Sequence, residues 1–184
     1  MKKLLITVLM LALCLQLVSC DLLESILGGV EDLNDAKDLA VYTTAEQIVN
    51  ALASGRSEMA LIFCAYMQED EDLQGELEEL FALCGNGTAT MLTEEIEYEQ
   101  DFSTKDSMLS ELMFFAKDVV FELERTDEDG ETEKTKFVMS FDIVTVYTAD
   151  EKQIGMHRLA VTNPKTGEKV TVGSSSLLDE IRAE

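Results

Sequence analysis

The stretch Asp118–Tyr147, DVVFELERTDEDGETEKTKFVMSFDIVTVY, decides the fold class. Val119, Phe121 and Leu123 fall on one side of an extended chain, with Asp118, Glu122 and Glu124 on the other. Such period-two alternation marks a half-buried strand, because successive side chains point to opposite faces. Asp127-Glu128-Asp129-Gly130 then supplies a hairpin turn. In the second arm Phe137, Met139, Phe141 and Ile143 share one face, and Val138, Ser140, Asp142, Val144 and Val146 share the other. A strand with apolar residues on both faces is expected to be central and covered on both sides over part of its length.

The strand pattern continues downstream. Asp150-Glu151-Lys152 reads as a turn, Ile154–Val161 as a strand, Asn163–Gly167 as a turn and Lys169–Val172 as a last strand. Ser174-Ser175-Ser176 opens a tail in which Leu177, Leu178 and Ile181 fit a helical turn. Upstream the period changes to that of helices. Thr43 with Glu46, or Thr44 with Gln47, has capping-box spacing, Ile48, Val49 and Leu52 form an apolar stripe, and Gly55 ends it. A second helix is expected after Ser57, with Met59, Ile62, Phe63 and Tyr66 on one face. A third is expected from about Asp70 to Cys84, with the stripe Leu73, Leu77, Leu80, Phe81 and Cys84. Between the two regimes Thr88–Leu92 reads as a short strand. Glu94–Asp101 alternates weakly, and Ser107–Phe115 fits a helical turn or a buried run. The sum is an α+β domain, helices first, packed on an antiparallel sheet of three or four strands.

Composition narrows the function classes. The chain has 184 residues, 14 Lys+Arg against 37 Asp+Glu, and a formal charge of −23. An acidic protein is repelled by phosphate backbones, so no nucleic-acid partner is expected. At 46% hydrophobic the chain is too apolar for a disordered acidic tail. The length suits one domain with a real core.

The N-terminus gives an address. Lys2 and Lys3 precede an apolar run, Leu4–Val18, broken by Thr7 and Gln16. That is the shape of a secretory signal. Leu17-Val18-Ser19-Cys20 resembles the lipobox of bacterial lipoproteins. The resemblance implies a lipid on the Cys20 sulfur and cleavage before Cys20. Each buried acyl methylene contributes about 0.8 kcal/mol, so two or three chains anchor stably. Cleavage leaves 12 basic residues against 37 acidic, a mature charge of −25. The expected division is a signal over 1–19, a lipidated N-terminus and juxtamembrane tether over 20–42, one domain over 43–172 and a tail over 173–184. Cys64 and Cys84 remain as thiols, either buried and free or joined in one disulfide.

From Ala45 to Thr171 the chain resembles an uncharacterised family of Gram-positive lipoproteins. The marks, in order after the lipobox, start with Ala45–Ala53 and Ser57–Phe63. Asp72-Leu73-Gln74, Glu78-Glu79-Leu80-Phe81 and the stop at Gly85-Asn86-Gly87 follow. Phe137–Tyr147 and Ile154-Gly155-Met156 complete the set. The resemblance implies a nuclear-transport-factor-2-like (cystatin-like) cone, a curved sheet wrapped around a helix, on the extracytoplasmic side of a membrane. The segment Asp101–Ala116 is longer and more apolar than that pattern.

Cone folds often hold a pocket, and some members use an Asp or His there as a base. Asp142, among Val138, Val144 and Val146, and His157, the single histidine, are the candidates, with Tyr147 and Arg158 as pocket residues. The alternative is an Asp on a wet stretch of strand and a His on the sheet surface. Ser174–Ser176 lacks a partnering base. Asp127–Gly130 lacks the ligand spacing and distal Glu of a calcium loop. No metal or cofactor is expected. Two function classes stay open. One is an envelope-anchored binding or interaction module for a small ligand or envelope protein, compatible with a homodimer. The other is a cone-fold enzyme with Asp142 or His157 as general base on a small apolar substrate.

Overall fold

In a computed structural model, residues 30–85, 87–105, 108–126 and 131–174 are described, with side chains from residue 37. The chain forms two compact units, residues 1–41 and 42–184. Cys20, the lipobox, the Asp127–Gly130 turn and the tail from residue 175 lie outside the described residues.

Helix α1 runs Val30–Ser54, α2 Arg56–Ala60, α3 Ala65–Gln68 and α4 Leu73–Cys84. The strands are β1 Thr88–Met91, β2 Glu97–Lys105, β3 Met108–Thr126, β4 Thr132–Tyr147, β5 Gly155–Thr162 and β6 Lys169–Gly173. A single turn of 3-10 helix, Glu151–Gln153, joins β4 to β5. The architecture is therefore α+β with an antiparallel sheet, as expected, but with six strands rather than three or four.

Three expectations about local structure change. Thr43 and Thr44 do not start a helix, because α1 already runs from Val30. No Gly or Pro interrupts the chain between Val30 and Gly55, so nothing forces a break where a cap would act. The helix expected after Ser57 is split in two. Cys64 N–H donates to the Met156 carbonyl at 2.9 Å and Met156 N–H to the Ile62 carbonyl at 3.0 Å. Those bonds draw Ile62–Cys64 out of helix into a parallel bridge beside the start of β5. Gly155 permits the approach: it has φ +131°, and a Cβ there would lie 2.8 Å from the Cys64 backbone. Finally, Met108–Phe115, the described part of the Ser107–Phe115 stretch, is strand. It opens β3, and β2 folds back on it as a hairpin arm.

β3 is 19 residues long, and this length organises the sheet. β2 pairs with its first half and β1 with its second, both along the same edge. β4 covers the other edge, followed by β5 and β6. Between Ala116 and Val119, Lys117 and Asp118 together oppose Ser140, a β-bulge with Asp118 at φ +54°. Asp tolerates this left-handed conformation better than most residues. The bulge resets the alternation, so Ala116 and Val119 face the same way.

The main core lies on one sheet face. Phe121 and Phe137, opposite each other in the ladder, stack with ring centroids 5.4 Å apart. Met139, Phe141, Leu159, Val161 and Val172 are buried on the same face. α4 packs on β6 with its whole expected stripe, Leu73 to Cys84, buried. Its Glu76 accepts a 2.7 Å hydrogen bond from Gly173 N–H at the end of β6. Ile48, Val49 and Leu52 of α1 are buried, matching the sequence stripe. Cys64 and Cys84 are free and buried. Cys64 stands just before α3. Burial pushes the Cys64 thiol up and carries that of Cys84 to about 12, although the Arg125 charge acts against it there.

Candidate functional site

Of the residues singled out in the sequence, Asp142, Arg158 and Tyr147 gather on the second face of the sheet, and His157 lies beside them in the β4–β5 ladder. Asp142 and Val144 project from β4 two residues apart and so share this face. Phe115 lies opposite Asp142 on β3, and Met113 opposite Val144. Met113, Val144 and Tyr147 form a buried apolar cluster, with Phe115 packed against it. This is a second cluster, across the sheet from the stacked phenylalanines.

Asp142 is 2% exposed. A carboxylate so buried requires a partner. Arg158 provides it from β5, directly across the ladder. Nε donates to Oδ2 at 2.7 Å and Nη2 to Oδ1 at 3.0 Å, the two-bond fork that suits guanidinium to carboxylate. The Arg158 side chain keeps 33% of its surface exposed, and the Asp142 bond holds its proton more tightly than usual. The pair therefore forms a polar island beside an apolar floor.

The ladder explains why Asp142 meets Arg158. Ile143 pairs with Met156, whereas Asp142 pairs with Arg158, so His157 is an extra residue in a β-bulge. Continued without the bulge, the register would put Asp142 opposite His157, the pair the sequence suggested. The extra residue moves Arg158 into that position.

His157 is fully buried, not on the sheet surface. Its Nε2 lies 2.7 Å from the Gln153 carbonyl oxygen. A carbonyl only accepts, so Nε2 carries the proton and donates, leaving Nδ1 the bare nitrogen of a neutral ring. Burial lowers the His157 pKa, partly offset by the Gln153 bond and the Asp142 charge. Neither the open Asp–His pair nor the pair of wet residues describes what is found. Both side chains are buried and each is engaged by the protein itself. Tyr147, expected as a pocket residue, is packed in the Met113–Val144 cluster.

Sequence reading missed Met113 and Phe115 as neighbours of Asp142. Met113, Phe114 and Ala116 are buried within five residues, so no alternation marks their faces. The corner that closes on His157 was also missed. Tyr66 of α3 donates its hydroxyl to Asp150 Oδ2 at 2.6 Å, and Lys152 lies 5.5 Å over the Tyr66 ring and 3.7 Å from Glu69. The phenol bond holds the Asp150 carboxyl below its usual range and raises the Tyr66 hydroxyl above its own.

Among the described residues no group of three or more His, Cys, Asp or Glu side chains is placed to hold a metal ion. No described helix is long and apolar enough to cross a membrane. No protein-family model and no curated protein match the chain.

Proposed function

We propose that this chain is an envelope lipoprotein, anchored through Cys20, whose domain binds rather than catalyses. The lipobox-like Leu17–Cys20 and the preceding apolar run support the anchor and the extracytoplasmic address. The helices-then-sheet order supports the finer reading of a nuclear-transport-factor-2-like cone, of the kind shared by the Gram-positive lipoproteins it resembles. The observation that carries the binding reading is the Asp142–Arg158 fork. A general base needs a carboxylate or imidazole able to reach a substrate proton. Here Arg158 holds both Asp142 oxygens, and the basic Nδ1 of His157 is buried out of a substrate's reach. What remains toward solvent is a guanidinium edge and the half-buried Phe115, over the buried Met113–Val144–Tyr147 cluster. That combination suits a small ligand, or an envelope protein segment, with an apolar body and an acceptor group. A homodimer fits the same reading, opposed by a mature charge of −25 at low salt.

The test is a thermal-shift panel on the full chain in mild detergent, covering divalent ions, sugars, amino acids, short peptides, bile acids and cell-wall fragments. A ligand at a hundred times its Kd adds about 2.7 kcal/mol. The expected result is a saturable shift that disappears in Arg158→Met. Turnover of any panel compound that is lost in Asp142→Asn would replace this reading by the enzymatic one.

A further inference from the structure

The His157 ring occupies an unusual place. It is completely buried in a β-bulge, bonded to the turn that precedes its own strand, with Nδ1 buried and without a hydrogen-bond partner. Gln153 Oε1, on the residue that accepts the Nε2 bond, is likewise buried and unpartnered. A bare Nδ1 costs little while the ring is neutral. A proton placed there would need an acceptor at once, since an unsatisfied buried charge is among the most destabilising groups in a protein. Nδ1 is shut off from solvent, so accepting the proton requires the packing around the ring to open, and the Glu151–Gln153 turn is the segment bonded to that ring.

We propose that His157 is an acid-sensitive latch, holding the Gln153–Ile154 end of the turn against β5 when neutral and releasing it when protonated. The bulge transmits the change. The His157 carbonyl sits against Gly173, where a Cβ would come within 2.2 Å of it, and Gly173 N–H is held by Glu76 of α4. The next residue is Arg158, the partner of Asp142. One residue thus bonds the turn through its ring, lies against the end of β6 through its carbonyl and precedes the arginine of the ion pair.

The surrounding charged and titratable groups allow this. Asp142 acts on the imidazole from β4, but Arg158 already matches its charge. On the turn stand Asp150, Glu151 and Lys152, and α3 adds Tyr66, with Cys64 before it and Glu69 after. Glu76 reaches in from α4 through Gly173. Tyr66 keeps Asp150 ionised below its usual range, so this outer bond persists at the pH where the ring charges. The Asp150 end therefore stays tied to Tyr66 while the Gln153 end opens.

The sign follows from linkage. His157 titrates at 6.5 when free of the fold and lower when seated. The seated state is favoured above 6.5 and loses ground as pH falls toward the seated value, by up to about tenfold per pH unit. The experiment is hydrogen–deuterium exchange of the full chain in detergent at pH 7.5 to 5, corrected for intrinsic rates. It is paired with an NMR titration of the ring, unambiguous because the chain has one histidine. Exchange across Gln153–His157 is expected to rise about tenfold or more over that range, with a ring midpoint below 6.5. In His157→Gln, which keeps a donor for Gln153 but cannot charge, the rise is expected to vanish. A ring midpoint at or above 6.5, or the same rise in His157→Gln, overturns the proposal. If that variant does not fold, the wild-type midpoint and its coincidence with the exchange transition decide alone.

Discussion

Replacing Arg158 by Met leaves the Asp142 carboxylate at 2% exposure without its counter-charge. Methionine preserves the length and apolar stem of the side chain, so lost packing contributes little. Breaking a buried pair by removing one partner costs about 3–5 kcal/mol. The guanidinium is a third exposed, and solvent can follow it into the gap, so about 3 kcal/mol is expected. For a chain of this size that lowers Tm by roughly 6–12 °C. Removing both charges in Asp142→Leu with Arg158→Met should be milder than Arg158→Met alone, because no buried charge is left. The two singles and the double form a cycle whose coupling is expected to reach about 2 kcal/mol. The assay is thermal and urea unfolding of the full chain in mild detergent at neutral pH. Arg158→Met within about 0.5 kcal/mol of wild type, the range of ordinary surface substitutions, would refute the reasoning.

Three further outcomes are expected. Gly173→Ala places a Cβ 2.2 Å from the His157 carbonyl at φ +76°, and should cost about 2–4 kcal/mol, whereas Gly75→Ala in α4 meets nothing within 4 Å and should stabilise by about 0.5–1 kcal/mol; the same unfolding assay separates them. Cys84, with its thiol pushed up to about 12, should react with a disulfide reagent at pH 8 on the order of a thousandfold more slowly than a free thiol, and at the free rate once the chain is unfolded. Tyr66→Phe removes the main cause that depresses the Asp150 carboxyl, so its NMR midpoint should rise toward 3.8, and the stability that this depression gives wild type above 3.8, lost as pH falls from 3.8 through the depressed value, should be largely absent from the variant.

The strands that alternate were readable from the sequence. Val119, Phe121 and Leu123, then Phe137, Met139 and Phe141, face the main core because period two and burial agree there. The α4 stripe was readable for the same reason at helical period. The first half of β3 was not. Met113 and Phe114 are buried on opposite faces, which removes the alternation that would mark a strand, and the Lys117–Asp118 bulge then shifts the phase. The Ile62–Cys64 bridge was hidden because its cause lies 92 residues away, in the backbone of Met156. The candidate site was half legible. Asp142 and Tyr147 on β4, and His157 and Arg158 on β5, could be placed on two adjoining strands from the sequence pattern. Which of them pair depends on one extra residue in a ladder, and composition carries no trace of a bulge.

Everything proposed for this protein's role rests on the domain being held at a membrane surface through Cys20. The direct measurement is the intact mass and N-terminal sequence of the full-length product recovered from the membrane fraction of a bacterial host. A chain beginning at Cys20 and carrying a thioether-linked diacylglycerol is the expected result, and Cys20→Ala should leave the chain uncut and unacylated. An unacylated product released in soluble form, cleaved at another residue, would contradict it.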